Sequence, residues 1–194
     1  IHGCLVGSEM CIRDRDGTGT NIDGVAIDDA TVSSTGTTAD AATITLMGTT
    51  SGIDGVFLGG TSTVTTVAGD LMITGDATGG GNDALHFGTN STVSSTGAGA
   101  TAADITLMGS GGALDSVFLQ GSVTSLDGAI SITGTTATGV DGVHVDSGMV
   151  EATGTGTIQI TGDGATNGVQ HEAAITSNSG SITISSVDDD VLFE

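Results

Sequence analysis

Five aspartates recur at one place in a repeating pattern: Asp23, Asp54, Asp83, Asp115 and Asp141, with Asn167 in the sixth copy. Each opens an Asp–small–apolar–x–apolar motif: DGVAI, DGVFL, DALHF, DSVFL, DGVHV and the degraded NGVQH. Carboxylates stacked in register repel unless something neutralises them. One reading is therefore a cation-binding edge, with Asp54, Asp83, Asp115 and Asp141 as calcium candidates. The other is a row of Asp-Gly-like turns at a solvated corner, which needs no ligand. The second is the preferred reading, and no cofactor is expected with it.

The middle position of the same motif holds Ala26, Phe57, His86, Phe118, His144 and Gln170. Alternation points these side chains outward, between two apolar columns. Phe57, His86, Phe118 and His144 then form either a candidate contact surface or, as the preferred reading, scattered exposed residues without a role, and Phe57→Ser is expected to cost little. His86 and His144 lie two repeats apart, too far to share one metal at about 2 Å per bond. His171 falls on an inward column and marks a distorted last repeat.

Other chemistry is weaker. The segment GGGNDALHF (79–87) approaches the calcium β-roll nonapeptide GGxGxDxUx, but Thr78 replaces its first Gly and the copy is single. Thr31, Thr63, Thr92 and Ser122, beside Ser33, Thr65, Ser94 and Thr124, resemble the flat Thr ladders of β-helical antifreeze proteins, until Met149 and Glu151 break the array. Asp28-Asp29 and Asp188 to Asp190 are adjacent, so their side chains point to opposite faces and make poor acid/base pairs for glycoside hydrolysis. From Asp16 onward there is no Lys or Arg to bind an anionic sugar or a developing charge. There is also no Ser-His-Asp set and no phosphate loop. Catalysis is not expected.

The elements that must position these residues follow from the repeat. After each Asp motif comes a short stretch around Val32, Val64, Val93, Val123, Val150 or Ile175. A third stretch follows: ITLMG, LMITG, ITLMG, ISITG, IQITG and ITISS, starting at 44, 71, 105, 130, 158 and 182. All three alternate apolar and polar residues with period two, separated by Gly, Asp, Asn and Ser turns. No 3.6-residue stripe appears. Three short strands in fixed order, repeated about six times, predict an all-β single-stranded parallel β-helix. Its inward columns are Val25, Val56, Leu85, Val117, Val143 and Val169, then Ile27, Leu58, Phe87, Leu119 and Val145, together with the second- and third-strand Val, Ile and Leu residues. The segments STGTTADAA (34–42) and STGAGATAA (95–103) are insertions expected at one corner, two rungs apart.

The formal charge of −21 disfavours nucleic acid and anionic membrane surfaces. No run approaches the roughly 18 apolar residues of a membrane span. Both arginines and both cysteines lie in residues 4–15. LVGSEMCIRD (5–14) resembles one reading frame of a common transposase sequencing adapter. Residues 1–15 are therefore set aside as a non-native segment, and 16–194 are read as the repeat domain, expected to be truncated at both ends.

The pattern GVxL…VxS…GxIxITG resembles the β-helical repeats of large bacterial surface proteins of the filamentous-haemagglutinin and autotransporter-adhesin kind. That resemblance implies a secreted or cell-surface, outer-membrane-associated location and a structural or adhesive role. Its implied partners are flanking repeats of the same protein and host or surface glycans or proteins. A calcium-stabilised extracellular binding module is the alternative; ice binding and polysaccharide cleavage rank below it.

Overall fold

The computed structural model describes residues 22–194. The adapter-like segment lies outside the described residues. The first coil runs through β1 (Val25–Asp28), β2 (Thr31–Ser34) and β3 (Ile44–Thr49), and the second through β4 (Val56–Gly59), β5 (Thr63–Thr66) and β6 (Leu71–Ala77). The third comprises β7 (Leu85–Phe87), β8 (Thr92–Ser95) and β9 (Ile105–Gly111); the fourth, β10 (Val117–Leu119), β11 (Ser122–Ser125) and β12 (Ile130–Thr135). The fifth comprises β13 (Asp141–Val145), β14 (Met149–Ala152) and β15 (Ile158–Asp163); the sixth, β16 (Asn167–His171), β17 (Ile175–Ser177) and β18 (Ile182–Ser186). β19 (Asp190–Phe193) starts another turn.

Every strand pairs in parallel with its equivalent one coil away, giving three sheets of seven, six and six strands. The chain is a parallel β-solenoid, as the period-two motifs predict. Register follows the sequence columns: Val25↔Val56↔Leu85↔Val117↔Val143↔Val169 in the first sheet and Ile44↔Leu71↔Ile105↔Ile130↔Ile158↔Ile182 in the third. From Val56 to Ile160 these inward aliphatic residues are essentially sealed from solvent. In the sixth coil, Ile182 is exposed and Ile175 and Ile184 are only partly buried, because β17 and β18 have a neighbour on one side alone among the described residues. No described helix is long and apolar enough to cross a membrane.

Two corner features explain residues that apolar alternation leaves unassigned. Gly48, Gly75, Gly109, Gly134 and Gly162 stack in register where the third strand bends toward the next coil. A Cβ on any of them would strike the carbonyl oxygen of Gly55, Ala84, Ser116, Gly142 or Gly168, the small residue that follows each ladder Asp or Asn. Small residues on both sides let the two backbones touch. The second feature is an inward column of hydroxyls in the second sheet, which the sequence reading did not identify. Ser34 Oγ donates to Ala42 O at 2.7 Å, Ser125 Oγ to Gly128 O at 2.7 Å, and Thr66 Oγ1 to Gly69 O. These bonds satisfy carbonyls at the corner before the third strand.

Both insertions leave that same corner, between β2 and β3 and between β8 and β9. Asp127 holds the second: its carboxylate accepts from Gly99 N at 2.8 Å and from Thr155 N at 2.8 Å. One register detail differs from the sequence spacing. The motif sets its Asp two residues before the first inward column, which would be Asp189 before Val191, but Asp190 pairs with Asn167, because a bulge between Asn167 and Val169 absorbs one residue.

Candidate functional site

The five aspartates form one continuous ladder along the corner that leads into the first sheet. Oδ1 of each accepts the backbone N–H of the aspartate in the next coil. Asp23 takes Asp54 N at 3.1 Å, Asp54 takes Asp83 N at 3.3 Å, Asp83 takes Asp115 N at 2.9 Å and Asp115 takes Asp141 N at 3.1 Å. Asn167 ends the run by donating its side-chain amide to Asp141 Oδ1 at 2.7 Å. The chain turns here before its regular ladder begins, so each N–H would otherwise lack an acceptor, and a carboxylate is a strong one.

This geometry overturns the solvated-corner reading. Asp54, Asp83, Asp115 and Asp141 are 3%, 4%, 8% and 1% exposed. The sequence locates a turn, but it does not show that the next coil closes over each carboxylate.

The second correction concerns the Phe/His stripe. Its register is as expected, Ala26↔Phe57↔His86↔Phe118↔His144↔Gln170. The side chains are half-buried, however, and stack on one another instead of standing free. Ring centroids lie 5.2 Å apart for Phe57–His86, 5.2 Å for His86–Phe118 and 5.1 Å for Phe118–His144. Phe57 meets His86 edge-on at 77°. Phe57→Ser should therefore cost about 1–2 kcal/mol by urea unfolding, for lost area and one aromatic pair.

The ladder and the stripe, treated separately in the sequence, converge in space. His86 Nδ1 donates to Asp54 Oδ2 at 3.0 Å and lies 3.6 Å from Asp83 Oδ2. Two coils on, His144 Nδ1 donates to Asp115 Oδ2 at 3.1 Å and lies 3.9 Å from Asp141 Oδ2, while its Nε2 faces Glu172 Oε1 at 3.4 Å. Each imidazole reaches back to the carboxylate one coil behind and forward to the one in its own coil. Beside His86 lies an open groove of ≈ 420 Å³, lined by Asp23, Ile53, Asp54, Phe57, Asn82, Asp83, His86, Leu114 and Phe118.

Charge follows burial. Burial pushes the Asp83 carboxyl up to about 6, against the lowering effect of its bond from Asp115 N. Burial likewise raises Asp23 and Asp141. For His86, burial is the largest influence and pulls downward, but the bond and charge of Asp54, with Asp83 and Asp23, outweigh it and raise the value. His144 is raised first by its bond to Asp115, which burial only partly offsets.

All five groups hold protons more tightly in the folded chain, so stability falls as pH rises across their range. The histidine contribution is complete below 6.5 and is lost as pH climbs through the raised folded values. The Asp83 penalty sets in between 3.8 and about 6. Asp127, lowered by its loop hydrogen bonds, acts in the opposite sense but is fully exposed and screened. In chelator, the melting temperature should be higher near about pH 5 than near about pH 8: the part of the Asp83 shift above pH 5 is about one pKa unit, worth about 1.4 kcal/mol, and the histidines act in the same direction. A melting temperature that rises with pH over this window would contradict the assignment.

The remaining candidates fall elsewhere. Residues 79–87 feed β7 of a three-sheet coil, not a two-sheet roll. The Ser/Thr columns of the second sheet are in register through Ser122 and Thr124 and are followed by Met149 and Glu151, with Ser94 Oγ donating to Thr65 Oγ1 at 2.9 Å. Asp29 occupies a left-handed turn (φ 49°) and accepts from Thr61 N at 2.9 Å, which ties its carboxylate to the corner. No known protein family, curated protein or solved structure matches the chain.

Proposed function

We propose that this chain is a structural or adhesive segment of a large secreted or cell-surface bacterial protein, of the filamentous-haemagglutinin or autotransporter-adhesin type. The observation that carries this reading is the unbroken register of all three sheets through six coils. Such a unit can be tiled without changing its cross-section, which is what a stalk needs. The acidic surface, with no Lys or Arg after Arg15, supports a role away from nucleic acid and anionic lipid. Flanking repeats and surface glycans or proteins are the partners this role requires.

The test uses beads carrying the chain and beads carrying an equally acidic unrelated protein, passed over host-cell, glycan and matrix-protein surfaces. Selective retention of the first supports the adhesive role. Release of reducing ends from acidic polysaccharides by the purified chain would replace this reading with a catalytic one. The calcium-stabilised module remains the alternative, drawing on the buried Asp ladder. A melting temperature unchanged by millimolar calcium would remove it.

A further inference from the structure

We propose that the chain carries two repeat-built sites for a borderline divalent cation of the zinc class: Asp54, Asp83 and His86 in one, Asp115, Asp141 and His144 in the other. In each triad one oxygen per carboxylate and one imidazole nitrogen lie within 4.8 Å of one another. A tetrahedral zinc with bonds of about 2.0–2.1 Å sets neighbouring ligand atoms roughly 3.3 Å apart. The Nδ1–Oδ2 separations bracket that value: 3.0 and 3.6 Å around His86, 3.1 and 3.9 Å around His144.

An independent observation points to an occupant. The side chains of Asp83 and Asp141 are only 5% and 1% exposed, and their Oδ1 atoms are committed to the ladder. Their Oδ2 atoms aim at the imidazole nitrogen from beyond hydrogen-bond range and make no hydrogen bond among the described residues. Neither oxygen takes a hydrogen bond from the described chain, which has no Lys or Arg to neutralise it, so each is left to water or a cation. A cation between the two Oδ2 atoms and Nδ1 would displace to solvent the Nδ1 proton now shared with Asp54 or Asp115, and would then satisfy all three ligand atoms at once.

The donor set selects the metal. Each aspartate has one oxygen left after ladder bonding, so a triad offers two oxygens and one nitrogen. Calcium takes six to eight oxygens and no imidazole, whereas zinc accepts imidazole with carboxylate and completes its shell with water. At the first site the groove between Phe57 and Phe118 leaves room for that water. At the second, Glu172 faces Nε2 of His144 and orients the ring from behind. The inference does not depend on whether the chain adheres.

The experiment titrates zinc chloride into the full chain carrying Cys4→Ser and Cys11→Ser, which removes competing thiols, with calcium and magnesium as parallel probes. Two zinc ions per chain are expected, with a rise in melting temperature that equal calcium or magnesium does not give. His86→Gln and His144→Gln should each remove one equivalent, and the double variant both. Zinc retained by the double variant, or no zinc bound at all, overturns the proposal. Imidazole ¹⁵N shifts in the chain with its histidines intact guard against a variant that fails to fold. Zinc must move the Nδ1 resonances of His86 and His144, and unmoved resonances overturn the proposal independently.

Discussion

Val117→Asp should abolish cooperative folding of the middle coils. Val117 is fully buried and sits in the first-sheet column between Leu85 and Val143. The change removes about 1.5–2 kcal/mol of apolar burial. It also places a carboxylate among aliphatic side chains with no donor in reach, at a cost of several kcal/mol even after protonation. Domains of this size have about 5–15 kcal/mol in total. Because each coil contacts mainly its neighbours, the third and fifth coils lose their packing partner with the fourth. Loss of the β-signal in far-ultraviolet circular dichroism at 25 °C checks this; a melt within a few degrees of the parent would place Val117 outside the core.

Gly134→Ala should be nearly as damaging, although it adds a single methyl group. Its Cβ would run into the carbonyl of Gly142 and press on Val143 Cγ2. Neither can retreat: Gly142 follows Asp141, which is pinned to Asp115 and Asn167, and Val143 is core. Overpacking against backbone costs about 3 kcal/mol, which lowers the melting temperature by roughly 6–12 °C. Gly99→Ala supplies the contrast. Gly99 has open space around its missing Cβ and a left-handed φ of 65°, so only the backbone penalty of about 1–2 kcal/mol applies. Equal losses at the two positions would show that the corner is not tightly closed.

The strand order, the register and nearly every inward aliphatic residue were legible in the sequence. A period of two and a recurring Asp–small pair leave little freedom in how the coils align. The corner was not legible. Alternation says that His86 points away from Leu85 and Phe87; it does not say that the ring folds back to Asp54, thirty-two residues earlier. Nor does it reveal that the Asp carboxylates cap backbone N–H groups of the following coil, since that depends on how tightly the coils close. Ser34, Thr66 and Ser125 were missed for a related reason. Counting apolar residues passes over an inward hydroxyl whose partner is a corner carbonyl close in sequence. The ITxxG glycines were visible as a motif, but their cause, contact with the small residue after each ladder Asp or Asn, needs three dimensions.

The central claim is that each repeat adds one rung to a single parallel stack. The outward column Thr45↔Met72↔Thr106↔Ser131↔Gln159↔Thr183 provides the ruler. Paired spin labels would be placed at Thr45→Cys with Gln159→Cys, and at Thr45→Cys with Thr183→Cys, in the Cys4→Ser, Cys11→Ser background. Pulsed electron paramagnetic resonance should give narrow backbone separations of about 19 and about 24 Å, four and five rungs at about 4.8 Å each. Equal distances, an inverted order, or a spread too broad to resolve one rung would contradict the stack.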